Sequence, residues 1–264
     1  MGIEHSDDLP NAGHSEVPST PSLKKIWQSP LPALGLIDRT LTKGLCSTAL
    51  RRFAAIRGLE HIRPDLDPFV LACNHTSRFE ALALPAVLMY YRGGRRVHFL
   101  ADWNFQMIPG IGLLYRRSGA IVVMRKSARP RFLNALKPLY APAEPSHVRA
   151  FNHLLAGRSV GIYPEGTVNR DPGRLMRGRL GVARLSLEAG VPVVPAGIRI
   201  VGGDARWPLL DVTFGCPLRP PPLAAETVTR ANIRSWHAMI MTEISRLSGK
   251  AWEPSQQEPR HESA

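Results

Sequence analysis

A histidine and a glutamate in the stretch Asn74-His-Thr-Ser-Arg-Phe-Glu-Ala81 could do acid–base chemistry. His75 and Glu80 are five residues apart, so on a regular helix they would point about 140° away from each other, since each residue turns about 100°. They can meet only if His75 lies in the turn before a helix and Glu80 lies in its first turn. In that arrangement the carboxylate holds the imidazole in one tautomer and stabilises its protonated form.

The same residues also fit an ordinary helix start with no chemistry. Ser77 followed three residues later by Glu80 is a capping box, and an apolar run from 81 to 91 follows it. This alternative accounts for Ser77 and Glu80 but leaves His75 unexplained. The two interpretations share one fold and differ only in where the Glu80 carboxylate points.

Further candidate residues follow two other predicted strands. They are Arg125 and Lys126 at the end of strand 120–125, and Glu165, Gly166 and Thr167 after strand 159–164. Ligands of open α/β sheets bind at the carboxyl ends of the strands, so we expect these residues to converge with His75 on one crevice. The alternative for the two cations is a solvated strand end.

Short apolar runs alternate with helical patterns along the middle of the chain. Strands are predicted at 68–73, 96–101, 120–125, 159–164, 191–200 and 209–215, and helices after Ser77 to about Tyr91, shortly after 146, at 181–190 and at 226–248. An apolar segment at 104–117 is broken at Pro109-Gly110, and a basic, proline-containing insert occupies 126–146. This alternation predicts a single-domain α/β fold, with a mixed, largely parallel sheet flanked by helices.

Residues 33–57 have apolar side chains at intervals of three or four, which predicts an N-terminal amphipathic helical segment. Its basic residues lie mostly off the apolar stripe, so the helix could lie in a membrane interface. The alternative is a helix packed on the domain. The expected boundaries are a disordered tail at 1–22, the amphipathic segment at 23–58, the main domain at 59–250 and a second disordered tail at 251–264.

The composition narrows the class of partner. A formal net charge of +13 over 264 residues suggests an anionic partner, either nucleic acid, a membrane surface or a phosphorylated substrate. No nucleic-acid-binding signature is present, so we expect no nucleic acid partner.

The three cysteines show no metal-ligand spacing and fit a reducing compartment. A serine hydrolase using Ser77 is disfavoured because no G-x-S-x-G elbow occurs. Neither a signal peptide nor an apolar run of 18 residues is recognisable.

Four segments together resemble the motifs of the glycerolipid acyltransferases of the 1-acylglycerol-3-phosphate acyltransferase type. In chain order they are NHTSRFEA (74–81), SGAIVVMR (118–125), IYPEGTVNR (162–170) and GVPVVPAGI (190–198). The match extends over about half of the chain. It departs from the family pattern in two places. Glu80 stands where the family has aspartate, and Val168 stands where the family has arginine.

The first departure leaves an inactive lipid-binding relative as an alternative. The second leaves the missing cation to be supplied by another arginine of the same loop. The candidates are Arg170, Arg174, Arg177 and Arg179.

The resemblance implies transfer of an acyl group from a thioester, acyl-CoA or acyl carrier protein, to the hydroxyl of a lysophospholipid. The default acceptor is 1-acylglycerol-3-phosphate, which gives phosphatidate, and another lysolipid or a glycolipid is the alternative. No cofactor or metal is implied beyond the thioester co-substrate. Residues 59–250 would form the acyltransferase domain. We expect the protein to be cytoplasmic and to contact an anionic membrane peripherally, on the inner face of the cell membrane.

The resemblance also implies roles for the candidate residues. His75 would be the general base, oriented by Glu80. Arg125 would bind the phosphate of the acceptor. The remaining three roles concern the loop after strand 159–164: Glu165 would orient Arg125 or bond an acceptor hydroxyl, Gly166 would let the backbone approach the ligand, and Thr167 would bond the ligand or cap a turn.

Overall fold

A computed structural model describes residues 21–128, 130–204, 206–222 and 228–254. Most of the expected tails at 1–22 and 251–264 lies outside these ranges, but the first two residues of the second tail contact the domain: Ala251 forms a bridge with Arg174, and the Trp252 indole N–H donates to the Arg177 carbonyl oxygen. Seven strands of the described residues form one sheet: β1 (Phe53–Arg57), β2 (Val70–Cys73), β3 (His98–Asp102), β4 (Ile121–Val123), β5 (Val160–Ile162), β6 (Val193–Gly203) and β7 (Pro208–Phe214). Their order across the sheet is β1-β7-β6-β2-β5-β3-β4.

The sheet is mixed and mostly parallel, as predicted. Strands β6 and β7 pair antiparallel, and the other neighbouring pairs are parallel. The strands β2, β5, β3 and β4 therefore all point the same way, and their carboxyl ends lie along one edge of the sheet. The candidate residues follow three of these strands.

Helices cover both faces of the sheet. They are α1 (Leu23–Gln28), α2 (Leu36–Ala49), α3 (Arg78–Tyr91), α4 (Ile111–Ser118), α5 (Ser146–Leu155), α6 (Gly181–Ala189) and α7 (Arg230–Ser248), with 3₁₀ segments at Leu50–Arg52, Leu59–Ile62, Pro64–Leu66, Trp103–Met107 and Arg131–Tyr140. Strand β2 shows the layering. Leu71 and Cys73 belong to the core beneath α2 and α3, whereas Val70 and Ala72 belong to the core beneath α6 and α7. A strand buried on both faces is typical of an α/β sandwich.

The predicted helix at 33–57 is wrong in its C-terminal part. Helix α2 ends at Ala49, and Phe53–Arg57 forms the edge strand β1, which pairs parallel with β7. Phe53 and Ile56 are three residues apart, so their spacing also fits a helix. Pairing with β7, more than 150 residues away, overrides that local pattern. The sheet thus begins before residue 59, where the sequence placed the start of the main domain.

Helix α2 packs against α3, and Cys46 lies in their interface with its thiol against the Ala86 carbonyl oxygen. Leu34, the first residue of the predicted stripe, is buried, whereas Ile37 of the same stripe and its neighbour Leu36 face solvent. Among the helices of the described residues, none combines the length and apolar character that spanning a membrane requires.

Candidate active site

His75 lies in the turn between β2 and α3, and its neighbour Asn74 attaches this turn to the sheet. The Asn74 amide is buried and makes two hydrogen bonds with the backbone of Ile198 in β6. Its Nδ2 donates to the carbonyl oxygen at 2.9 Å, and its Oδ1 accepts from the N–H at 2.7 Å. A side-chain amide bonded in this way mimics a strand backbone, so the turn cannot slide along the sheet edge.

The Glu80 carboxylate points at His75. His75 Nδ1 and Glu80 Oε1 are 2.8 Å apart, and the glutamate side chain is fully buried while the imidazole is 14% exposed. The same oxygen accepts from the Thr76 N–H at 2.5 Å, and the hydroxyls of Thr76 and Ser77 face the other oxygen. With Nδ1–H donated to the carboxylate, the imidazole presents the lone pair of Nε2.

The helix-start interpretation is also partly right. Ser77 is the N-cap of α3, and its hydroxyl accepts from the Glu80 N–H at 3.4 Å. The reciprocal bond of a capping box is missing, because the Glu80 carboxylate bonds Thr76 and His75 instead. Ser77 and Glu80 therefore begin the helix together, and Glu80 also holds the histidine.

The peptide groups of His75 are held by the loop after β5. Glu165 Oε2 accepts from the His75 N–H at 2.8 Å, and the Asn169 N–H donates to the His75 carbonyl oxygen at 2.7 Å. The Asn169 side chain also donates to Glu165 Oε1 at 2.7 Å. Both polar groups of the histidine backbone are thus bonded to one short loop.

This geometry corrects the role expected for Glu165. Its carboxylate accepts from the His75 N–H, the Asn169 amide and the Met176 N–H, the last at 2.8 Å, and it does not bond Arg125. The side chain is 5% exposed. Both oxygens of this buried carboxylate already accept hydrogen bonds from the protein, so Glu165 positions the histidine and does not contact a ligand.

Tyr163 supports the imidazole from one face. The two ring centroids are 4.3 Å apart with an interplanar angle of 24°. The Tyr163 hydroxyl is shielded from solvent and has no hydrogen-bond partner in the described parts of the chain. Burial, together with the nearby thiol of Cys73 and carboxylate of Glu80, raises the pKa of Tyr163 well above its usual range. Tyr163 therefore supports the base as a neutral ring.

A wide cleft of about 2540 Å³ opens at this edge of the sheet. The predicted residues His75, Arg125, Gly166 and Thr167 all line it. Arg125 and Thr167 are exposed, and Lys126 lies 3.5 Å from the Asp102 carboxylate. The structure thus brings the predicted base and the predicted cation to one cavity, with Glu80 and Glu165 buried behind it.

The structure also separates the four arginines that could replace the one missing at Val168. Arg170 and Arg179 line the cleft, whereas Arg174 and Arg177 do not. Gly166 has a positive φ of 67°, and a Cβ placed there would lie 2.7 Å from Arg179 Nε. The Arg179 guanidinium thus packs on the loop that follows β5, and a side chain at 166 would displace it.

The sequence reasoning missed Asn169, Tyr163 and the packing of Arg179 on Gly166. Asn169 and Tyr163 lie inside the quoted segment IYPEGTVNR, so their position beside Glu165 was visible. Their contact with His75 was not, because it joins parts of the chain about 90 residues apart.

Comparisons with known proteins identify the family of the chain. The family model described as Acyltransferase matches residues 54–199, more than half of the chain. A curated 1-acyl-sn-glycerol-3-phosphate acyltransferase of Borreliella burgdorferi is 26% identical over 140 residues, which cover 53% of this chain and 48% of that protein. A protein of the same name from Bacillus subtilis is 25% identical over 157 residues, which cover 57% of this chain and 68% of that protein. The match therefore spans about half of the first relative and about two thirds of the second.

The fold also has a solved counterpart. The crystal structure of the 1-acyl-sn-glycerophosphate (LPA) acyltransferase PlsC from Thermotoga maritima superposes with a TM-score of 0.51, covering 88% of this chain and 81% of that one. Its sequence identity is 17%, so this likeness shows the fold.

Proposed function

The chain belongs to the acyltransferase family, and on that premise we propose that it transfers a fatty acyl group from a thioester to the hydroxyl of 1-acylglycerol-3-phosphate, giving phosphatidate. The observation that carries this proposal is the pairing of His75, which lines the cleft, with the buried Glu80. An imidazole whose Nδ1 is held by a carboxylate leaves Nε2 to face the cavity, as a general base for an acceptor hydroxyl requires.

In the proposed reaction, His75 Nε2 takes the proton of the acceptor hydroxyl while the oxygen attacks the thioester carbonyl carbon. The tetrahedral intermediate then collapses with cleavage of the C–S bond, and the imidazolium returns the proton to the leaving thiolate. The products are an ester and a free thiol. Glu80 stabilises the imidazolium between the two steps, as an acidic partner does in a catalytic triad. No covalent acyl-enzyme is required.

The oxyanion of the intermediate would be stabilised at the start of α3. The Thr76 N–H is already bonded to Glu80, and the Glu80 N–H is bonded to Ser77. The N–H groups of Arg78 and Phe79 have no acceptor in the described part of the chain, as expected for the first turn of a helix. These donors follow the base in the chain. The carbonyl oxygen of the thioester, on which the negative charge develops, would lie beside them.

The acceptor phosphate would be bound by the arginines of the cleft. Arg125, Arg170 and Arg179 line it, and none of them is in an ion pair with an acidic residue of the described chain. An arginine fork matches two phosphate oxygens, which suits a lipid headgroup anchored while its hydroxyl reacts. Arg179, packed on Gly166, takes the place of the arginine that the family has at position 168.

Two finer points extend the proposal. The donor is acyl-CoA or acyl carrier protein, since both carry the thioester and both are anionic. The acceptor alternative is another lysolipid or a glycolipid with a free hydroxyl. An inactive lipid binder is disfavoured by the intact His75–Glu80 bond. We place the protein on the cytoplasmic face of the membrane, where both donors are found.

The test follows free thiol release from a long-chain acyl-CoA with and without 1-acylglycerol-3-phosphate. We expect release that depends on the acceptor, and a loss of about 10²–10⁴-fold in kcat for His75→Ala, because a general base contributes about that much. His61→Ala, a histidine remote from the cleft, is the matched control and should retain activity. Acceptor-dependent release that survives in His75→Ala would contradict the mechanism. No release with any acceptor or with an acyl carrier protein donor would favour the inactive relative.

A further inference from the structure

The basic insert predicted at 126–146 presents large apolar side chains to solvent. Within the 3₁₀ segment Arg131–Tyr140, Phe132 is 74% exposed, Leu136 is 39% exposed and Leu139 is 79% exposed. Each such side chain would gain about 1.5–3 kcal/mol on full burial, so a cluster of them marks a surface that meets a partner.

This segment is attached to the domain at both ends. Before it, the Trp103 indole N–H donates to the Lys126 carbonyl oxygen at 2.8 Å, and Asn134 Oδ1 accepts from the Ala128 N–H at 2.8 Å. At its end, the Tyr140 ring lies 6.0 Å from the Trp103 ring. The exposed side chains are therefore presented by a packed segment, which lowers the entropy cost of binding through them.

The charge of the segment indicates that its partner is anionic. Residues 125–143 contain five basic residues and no acidic one. Lys137 and Arg131 stand in the same 3₁₀ segment as Phe132 and Leu139. Apolar side chains interleaved with cations are the composition of an element that lies in the headgroup region of an anionic bilayer.

The segment Arg131–Tyr140 also borders the cleft that contains His75. Arg131, Leu133 and Asn134 line the same cavity as His75, while Phe132 and Leu139 are exposed. The segment thus contributes three residues to the wall of the cleft and presents Phe132 and Leu139 to solvent. We propose that Arg131–Tyr140 is the surface on which the protein sits on an anionic lipid bilayer, with the cleft mouth beside the membrane. The reason for this placement rests on the proposed function, because a one-chain phospholipid acceptor would pass from bilayer to base without crossing water.

The N-terminal helices offer a competing surface. Leu36 and Ile37 at the start of α2 are also exposed, at 77% and 58%. Two double variants matched in chemistry separate the two surfaces: Phe132→Ser with Leu139→Ser, and Leu36→Ser with Ile37→Ser. All four side chains are exposed, so neither pair should impair folding, and thermal unfolding of each variant checks this.

The first readout is co-sedimentation of the full chain with vesicles of phosphatidylcholine containing about 30% phosphatidylglycerol. We expect binding that exceeds binding to pure phosphatidylcholine and that weakens about tenfold or more in the Phe132/Leu139 variant, because two large apolar contacts are lost. The Leu36/Ile37 variant should bind within about twofold of wild type. The reverse ranking would overturn the proposal and assign the membrane contact to the N-terminal helices.

The second readout separates the surface from the chemistry. The Phe132/Leu139 variant should acylate a short-chain, monomeric 1-acylglycerol-3-phosphate like wild type, and lose activity only on acceptor presented in vesicles. Equal loss on both acceptors would overturn the proposal, since the segment would then serve the cleft itself. Unchanged vesicle binding with lost use of acyl carrier protein would also overturn it, in favour of a protein-docking surface. The vesicle-binding result is readable even if no acyl transfer is found.

Discussion

Replacing Glu165 by glutamine tests whether this carboxylate positions His75. All three of its partners are donors: the His75 N–H, the Met176 N–H and the Asn169 amide. A carboxylate can accept from all of them, whereas a glutamine must turn its own NH₂ group toward one side. The Asn169 amide cannot flip to help, because its Oδ1 accepts from the Asp171 N–H and its Nδ2 also donates to the Arg174 carbonyl oxygen.

The expected cost follows from these contacts. In either orientation of the glutamine, a partly buried backbone N–H, that of His75 or that of Met176, faces another donor and loses its partner, which costs about 1–3 kcal/mol. The remaining bonds lose the charge of the acceptor, which costs about 1 kcal/mol more. The free energy of unfolding should fall by roughly 2–4 kcal/mol, and the Tm by about 2–4 °C for each kcal/mol. If the His75 turn shifts by about 1 Å, kcat should fall about 10²-fold.

Glu80→Gln is the matched control, since Glu80 is also buried and bonded to the same turn. Its Oε2 faces the hydroxyls of Thr76 and Ser77, and a hydroxyl can rotate to accept from the new NH₂. Thermal unfolding should therefore separate the two variants, with Glu165→Gln the less stable. Steady-state kinetics should show the Glu165→Gln loss mainly in kcat, with KM for the acceptor near wild type. A Tm and kcat equal to wild type in Glu165→Gln, or a rise in acceptor KM alone, would refute the positioning role.

Three further predictions rest on separate observations. Glu80→Gln should lower kcat by about 10²–10⁴-fold because the imidazolium loses its anionic partner, whereas Glu80→Asp should keep or raise it; steady-state thiol release measures both. Burial, with cationic neighbours, lowers the pKa of His153 from 6.5 to about 4, so between these pH values the unfolded chain binds a proton that the folded chain does not. The stability of the protein should therefore fall as the pH drops through that window. Thermal unfolding measured against pH should show this fall, and it should be less steep in His153→Gln. Burial raises the pKa of the Cys46 thiol to about 12 and raises that of the Cys73 thiol well above its usual range. Iodoacetamide followed by mass spectrometry should therefore label the exposed Cys216 alone in the native protein.

Much of the fold was readable from local pattern. Apolar runs such as 68–73 and 191–200 predicted buried strands; β2 lies within the first, and β6 begins within the second and continues to Gly203. Ser77 predicted the start of α3, since a capping hydroxyl acts within four residues of itself. The break at Pro109-Gly110 likewise separates the 3₁₀ segment Trp103–Met107 from α4. Signals of this kind involve neighbours in the chain, so no tertiary knowledge is needed.

The strand β1 shows where local pattern fails. The spacing of Phe53 and Ile56 suits either a helix or an edge strand, and the choice depends on β7, whose Leu210 and Val212 pair with it. A backbone hydrogen bond to a distant strand leaves no trace in the residues that make it. Element boundaries near a sheet edge are therefore decided by packing.

The candidate site likewise has features that the sequence predicts and features that depend on the tertiary structure. By itself the sequence determined which residues could do chemistry, and that His75, Arg125 and Glu165 follow strands, because residue type and strand alternation are local properties. Only the tertiary structure decided that the Glu80 carboxylate turns to His75, that Glu165 faces inward, and that Arg179 packs on Gly166. The direction of a side chain is set by its hydrogen-bond partners. Glu80 had two candidate partners within five residues, Ser77 and His75, and Glu165 bonds the His75 N–H about 90 residues away, so neither direction could be read from the local sequence.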